Sequence, residues 1–165
     1  MTITGVEDTQ ILRYDGGTSE WVNSWDNVNF ARVKNKTGSQ IDRGEAVYIF
    51  DQHNANVANV ALARSDSQAT MPAIGLAYAD IPDNAEGLAV GFGTCLAVTT
   101  GLPEGNVLYV SNVTAGGLIS VKPDVVTTDL IQNIGVCARE HASAGRVLVT
   151  GVGRINDIPN APITT

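Results

Sequence analysis

The chain has 165 residues and carries 17 carboxylates against 10 basic side chains, a formal net charge of −7. This balance excludes the broad Lys/Arg footprint that nucleic-acid binding needs, and the lysines number only three, Lys34, Lys36 and Lys122. No run approaches 18 consecutive apolar residues, so no membrane-spanning helix is predicted, and Met1-Thr2-Ile3-Thr4-Gly5 has neither the basic nor the apolar region of a secretory leader.

Residues 1–29 read as an arm. Ile11-Leu12-Arg13-Tyr14 and Glu20-Trp21-Val22 have strand character, and Asp15-Gly16-Gly17-Thr18 between them tolerates the positive φ of a hairpin turn. Both tryptophans of the chain, Trp21 and Trp25, lie in this arm. A lone hairpin is marginal in water. Tyr14, Trp21 and Trp25 are therefore the candidate interface residues, packing on the main body, on another subunit or on a different protein. Ser24 to Asn29 is a polar connector.

The body is expected over residues 30–155, with an extended tail over 156–165 that holds Pro159 and Pro162. Phe30 to Asn35 alternates at period two, the mark of a half-buried strand. Strands are predicted at Ala46–Phe50, Val57–Ala63, Ala73–Tyr78, Leu88–Phe92, Cys95–Thr99, Val107–Val110, Leu118–Val121, Ile131–Ala138 and Arg146–Val152. Gly93 is expected to break the fourth of these from the fifth, and Arg64 to Thr70 has room for one helical turn. Short strands between Gly, Pro and Asn turns define an all-β barrel or sandwich. With three Phe in the chain and both Trp in the arm, its core must be mainly Val, Ile, Leu and Ala.

The chain also repeats itself. Ile41-Asp42-Arg43-Gly44-Glu45-Ala46-Val47-Tyr48 returns 61 positions later as Leu102-Pro103-Glu104-Gly105-Asn106-Val107-Leu108-Tyr109. Ala73-Ile74-Gly75-Leu76-Ala77 returns 60 on as Asn133-Ile134-Gly135-Val136-Cys137, and Ala89-Val90-Gly91-Phe92-Gly93 as Val149-Thr150-Gly151-Val152-Gly153. Collinear matches at a nearly constant offset predict two pseudo-repeats, about 41–96 and 102–154, packed face to face.

Catalytic chemistry is hard to find. His53 and His141 sit in polar loops without a second ligand at metal spacing. Gly91-Phe92-Gly93 and Gly151-Val152-Gly153 open no helix and so form no phosphate cradle. Asp80, Asp83 and Glu86 form an acidic loop that reads as solvated. There is no Gly-x-Ser-x-Gly. Nor is there the Gly-rich tail or Asp-Tyr strand of an all-β nucleotide hydrolase. Cys95 and Cys137 lie in aliphatic strand patterns and read as buried thiols of a protein made in a reducing cytoplasm, although sequence leaves open whether they are bonded. No enzyme activity, cofactor or metal is expected.

Val33-Lys34-Asn35-Lys36-Thr37-Gly38-Ser39-Gln40-Ile41-Asp42-Arg43-Gly44-Glu45-Ala46-Val47-Tyr48-Ile49, with Ala73 to Ala77, Gly105 to Tyr109, Gly117-Leu118, Lys122-Pro123 and Ile134-Gly135-Val136, resembles a module of tailed-bacteriophage virion proteins. Ile11 to Asp15 with Trp21-Val22-Asn23 resembles the segment that precedes such modules in phage fibres. Two roles follow from the resemblance. One is a capsid decoration (cement) protein on the virion surface, a homotrimer bound to the major capsid protein. The other is a tail-fibre or receptor-binding module that contacts a host-surface glycan. The lack of a heptad run or repetitive shaft favours the first.

Overall fold

The computed structural model describes residues 11–15, 19–24, 28–54, 57–123 and 129–151. They form strands β1 (Ile11–Asp15), β2 (Glu20–Ser24), β3 (Asn29–Asn35), β4 (Ala46–Asn54), β5 (Val57–Leu62), β6 (Ala73–Ala77), β7 (Glu86–Thr100), β8 (Val107–Val110), β9 (Leu118–Ile119), β10 (Asn133–Arg139) and β11 (His141–Val149). The helical turn expected after Arg64 is a 3-10 turn at Gln68–Thr70, whose first N–H groups are capped by Ser67. The expected tail and Gly153 lie outside the described residues.

The fold is all-β. β1 and β2 form a two-stranded sheet, and the other nine strands form one sheet in the order β3-β5-β4-β6-β7-β11-β10-β8-β9. An additional pairing of β3 with β7 closes the first five of these into a barrel. Closure removes the open edges that would otherwise template aggregation. It depends on β3 pairing parallel to β5 and antiparallel to β7.

Gly93 does not break its strand. β7 runs uninterrupted for 15 residues. It pairs with β3 as far as Phe92 and with β11 from Gly93 onward. One strand thus serves both the barrel and the four-stranded extension, and the glycines lie where it changes partners.

The two halves share a pairing register. Ala46 faces Leu76, Val47 faces Gly75 and Tyr48 faces Ala73; Val107 faces Val136, Leu108 faces Gly135 and Tyr109 faces Asn133, with the same one-residue irregularity. The outer pair follows suit, Tyr48 facing Ala61 and Tyr109 facing Ile119. So β5-β4-β6-β7 and β9-β8-β10-β11 are equivalent four-stranded units. The expected match of Gly91–Gly93 with Gly151–Gly153 needs correction. Ala77 faces Ala89, twelve residues on, whereas Cys137 faces Val147, ten on. The second connection is two residues shorter, and Val90 therefore corresponds to Leu148.

A single turn design launches three of these strands. Glu45 N–H bonds Asp42 C=O at 3.1 Å, Ala85 bonds Pro82 at 3.0 Å, and Asn106 bonds Pro103 at 3.3 Å. The third residue of each has positive φ: Gly44 +87°, Asn84 +61° and Gly105 +78°. That position of such a turn selects Gly or Asn. Each turn also exchanges two backbone hydrogen bonds with a strand residue, Ala77, Asn35 and Cys137 respectively.

Two apolar clusters result. Val33, Ile41, Val47, Val60, Ile81 and Ala89 fill the barrel lumen. The larger cluster lies outside the barrel wall, where Ala46, Leu76 and Val90 meet Leu108, Ile134 and Val147. The units do not pack face to face, as duplication alone suggested. Instead the outer face of the first fills the inner face of the second. Val47, Ala77 and Ala89 point into the lumen, while their counterparts Leu108, Cys137 and Val147 cover the barrel wall. Gln132, wholly buried, joins the two: its Oε1 accepts from Ala73 N–H and its Nε2 donates to Ala73 C=O, both at 2.8 Å.

Two measurements test this packing. A Cβ at Gly75 would lie 2.2 Å from Val90 O, and one at Gly135 2.2 Å from Leu148 O. We expect Gly75→Ala and Gly135→Ala each to lower unfolding free energy by about 2 kcal/mol or more, read from urea midpoints. Gly101→Ala meets nothing within 4 Å and should change it by less than about 0.5 kcal/mol. Gln132→Ala orphans a buried backbone donor and acceptor and should cost about 2 kcal/mol.

Candidate functional site

The arm is a regular antiparallel hairpin whose register puts Tyr14 opposite Trp21 and Leu12 opposite Asn23. The Tyr14 and Trp21 rings meet edge-on, with centroids 5.4 Å apart at 64°. Leu12 shares their face by the period-two alternation of a strand. This face is not core: Tyr14 is 51% and Trp21 56% exposed. β1 and β2 pair only with each other among the described strands. Trp25, the third candidate interface residue, and residues 16–18 of the turn lie outside the described residues.

The polar candidates are separated and put to structural use. Asp80 Oδ1 accepts Arg43 N–H at 2.9 Å. Asp83 Oδ1 accepts Gly38 N–H at 3.0 Å. Glu86 forms an ion pair with Arg32 at 2.8 Å. The three carboxylates therefore go to three separate partners, two loop N–H groups and one strand arginine, and no cluster of three metal-ligating side chains occurs among the described residues. His141 Nδ1 accepts the N–H groups of Ser143 and Ala144 at 3.1 and 3.0 Å, shaping the start of β11. The His53 side chain lies outside the described residues.

Sequence reasoning gave no role to Asn35. It is buried and holds the barrel mouth together: Nδ2 donates to Ser39 O and Ile81 O, both at 2.7 Å, and Oδ1 accepts Thr37 N–H at 2.9 Å. An Asx-type turn signal, Asn followed two residues later by Thr-Gly-Ser, marks it in the sequence.

A pocket of about 420 Å³ opens where β7 and β9 fail to meet, lined by Arg43, Gly44, Glu45, Val98, Leu102 and Gly116 among others. The turn of the first unit plugs this seam. Ala46 N–H bonds Gly116 O and Gly116 N–H bonds Ala63 O, each at 2.8 Å. Glu45 Oε2 accepts Asp42 N–H at 2.8 Å. Burial raises the Glu45 pKa, the Asp42 N–H offsets part of the rise, and the Asp42 carboxylate adds to it. The carboxylate is thus tied to its own turn, with the Asp42 carboxylate as its neighbour.

Cys95 and Cys137 are both free and buried. Cys137 Sγ donates to Leu102 O at 3.1 Å. Burial pushes the Cys95 thiol from 9.0 to about 11, with Arg43 opposing weakly.

No family model, curated protein or solved structure matches the chain.

Neither thiol should react with Ellman's reagent at pH 8 in the native protein, and both should react in denaturant. The folded Cys95 pKa is raised, so its neutral form contributes stability fully present below pH 9.0 and lost as pH rises toward about 11. Urea midpoints measured across that window should fall, and Cys95→Ser should flatten the fall.

Proposed function

We propose that the protein is a non-enzymatic structural component of a tailed-phage particle. Its role is to decorate the capsid on the virion surface, with the arm joining each copy to a neighbour, either another copy or the major capsid protein. The observation that carries this reading is the exposed Leu12, Tyr14 and Trp21 face of a hairpin whose strands pair only with each other among the described strands. Aromatic side chains of this kind dominate interface energies once desolvated. In the body, buried Asn35 fastens the barrel mouth and buried Gln132 joins the two units. The resemblance to phage virion modules supplies the particle, and the homotrimer is the assembly it implies. Copies arrayed on a lattice gain avidity from several weak contacts made at once.

A second reading has a specific observation behind it. Exposed Tyr14 and Trp21 rings also suit stacking on a sugar, as a tail-fibre module binding a host-surface glycan would require.

Truncation before Phe30 tests the first. The shortened chain should keep a cooperative β fold and lose binding to phage particles that lack this protein. Unchanged particle binding by the truncated chain would sink the arm's role. Electron micrographs of antibody-labelled virions separate the readings, with label on heads expected and label on tails supporting the second.

A further inference from the structure

Equivalent positions in the two units have opposite fates. In the first, Ala46, Leu76 and Val90 form a row across three adjacent strands. All three are 0% exposed, because the second unit covers them. The same row in the second unit is Val107, Val136 and Leu148. It continues to Thr94 on β7, with Phe92 one alternation further along. Here Val107 is 37%, Leu148 41% and Phe92 51% exposed. A sheet face open to water normally alternates to polar residues. Apart from Thr94 this row is apolar, yet Val107, Leu148 and Phe92 remain exposed.

We infer that this row is the docking site for the hairpin arm of a second copy of the chain. The inference deepens the attachment role proposed for the arm and names its receptor. Two features fit the arm to the row. In the first unit an equivalent row is covered by an apolar β face, and the hairpin offers one in Leu12, Tyr14 and Trp21. Dimensions agree: a five-residue strand spans about 17 Å, and a row across four strands spans about 14 Å.

The arm's own chain does not use the site. Asn29, where β3 leaves the arm, pairs with Phe92 at the end of the row, yet Tyr14 and Trp21 of that arm remain half exposed. Donor face and acceptor face differ, so the contact is heterologous, and repeating it head to tail closes a ring when the rotation permits.

The test uses two full-length chains, one carrying Trp21→Cys and the other Leu148→Cys; the native Cys95 and Cys137 are buried. Mixed under mild oxidation, they should give a disulfide-linked pair containing one of each. A chain bearing both substitutions should, on dilution, cross-link less rather than close on itself. Leu148→Asp, whose fold is checked by circular dichroism, should sediment as monomer where the unaltered chain sediments as an oligomer. A concentration-independent internal cross-link, an unaltered chain that is monomeric at high micromolar concentration, or an oligomer indifferent to Leu148→Asp would each overturn the inference. Particle binding separates it from the broader reading. A chain that cross-links arm to row but ignores particles keeps the inference and sinks the capsid role. A chain that binds particles without cross-linking does the reverse.

Discussion

Ala46, Leu76 and Val90 project from the outside of a closed barrel, where a solitary barrel would need polar residues. They are buried because the inner face of the second unit wraps them. This contact makes the molecule one body rather than two. It converts an outer wall into a core, and it fills the second unit's concavity so that no second lumen forms. Gln132 fixes the registration of the contact by pairing with the Ala73 backbone as another strand would. Gly75 and Gly135, at matching positions, lie so close to the facing strand that neither leaves room for a Cβ.

Two units with one pairing pattern diverge because their flanking strands differ. β3 is seven residues long and reaches both β5 and β7, sealing the first unit. In the second, β9 has two residues and pairs only with β8. The seam left beside β9 is occupied by the Asp42–Glu45 turn. A Cβ on Gly44 would approach Val98 Cγ1 at 2.5 Å, so the turn fits only with glycine there. The added strand β3 thus decides which half becomes a barrel and which becomes its cover.

Much of the fold was legible in the sequence because period-two patterns and turn residues are local. The Tyr48 and Tyr109 strands and their Gly-containing turns could be paired by eye. The third instance of the turn was missed, since Asn84 stands where the others have Gly. Likeness aligns Gly91–Gly93 with Gly151–Gly153, but a connection two residues shorter makes Val149 the counterpart of Gly91, as Leu148 is of Val90. Barrel closure was not legible, because a parallel pairing of β3 with β5 leaves no mark in either strand's own pattern. For the site, the clustering of Trp21 with Tyr14 pointed to the arm, and the structure adds their shared face. The exposed row had a signal that went unused. Val107-Leu108-Tyr109-Val110 is apolar at every position, as strands covered on both faces are. The buried role of Gln132 was invisible, since a polar residue reads as surface until its partners are in place, whereas Asn35 carried a turn signal.

β7 belongs to both the barrel and its four-stranded extension, and this has a mechanical meaning. In many duplicated proteins a linker separates the halves, and either can melt, be cleaved or be lost without the other. Here the fifteen residues from Glu86 to Thr100 contribute hydrogen bonds to β3 and β6 at one end and to β11 at the other. Pulling the halves apart would load one continuous strand along its length, with rows of hydrogen bonds in both the barrel and the extension resisting together rather than opening one at a time. A body tethered through its N-terminal arm on an exposed surface would transmit that load through β3 directly into β7, the strand best braced to bear it.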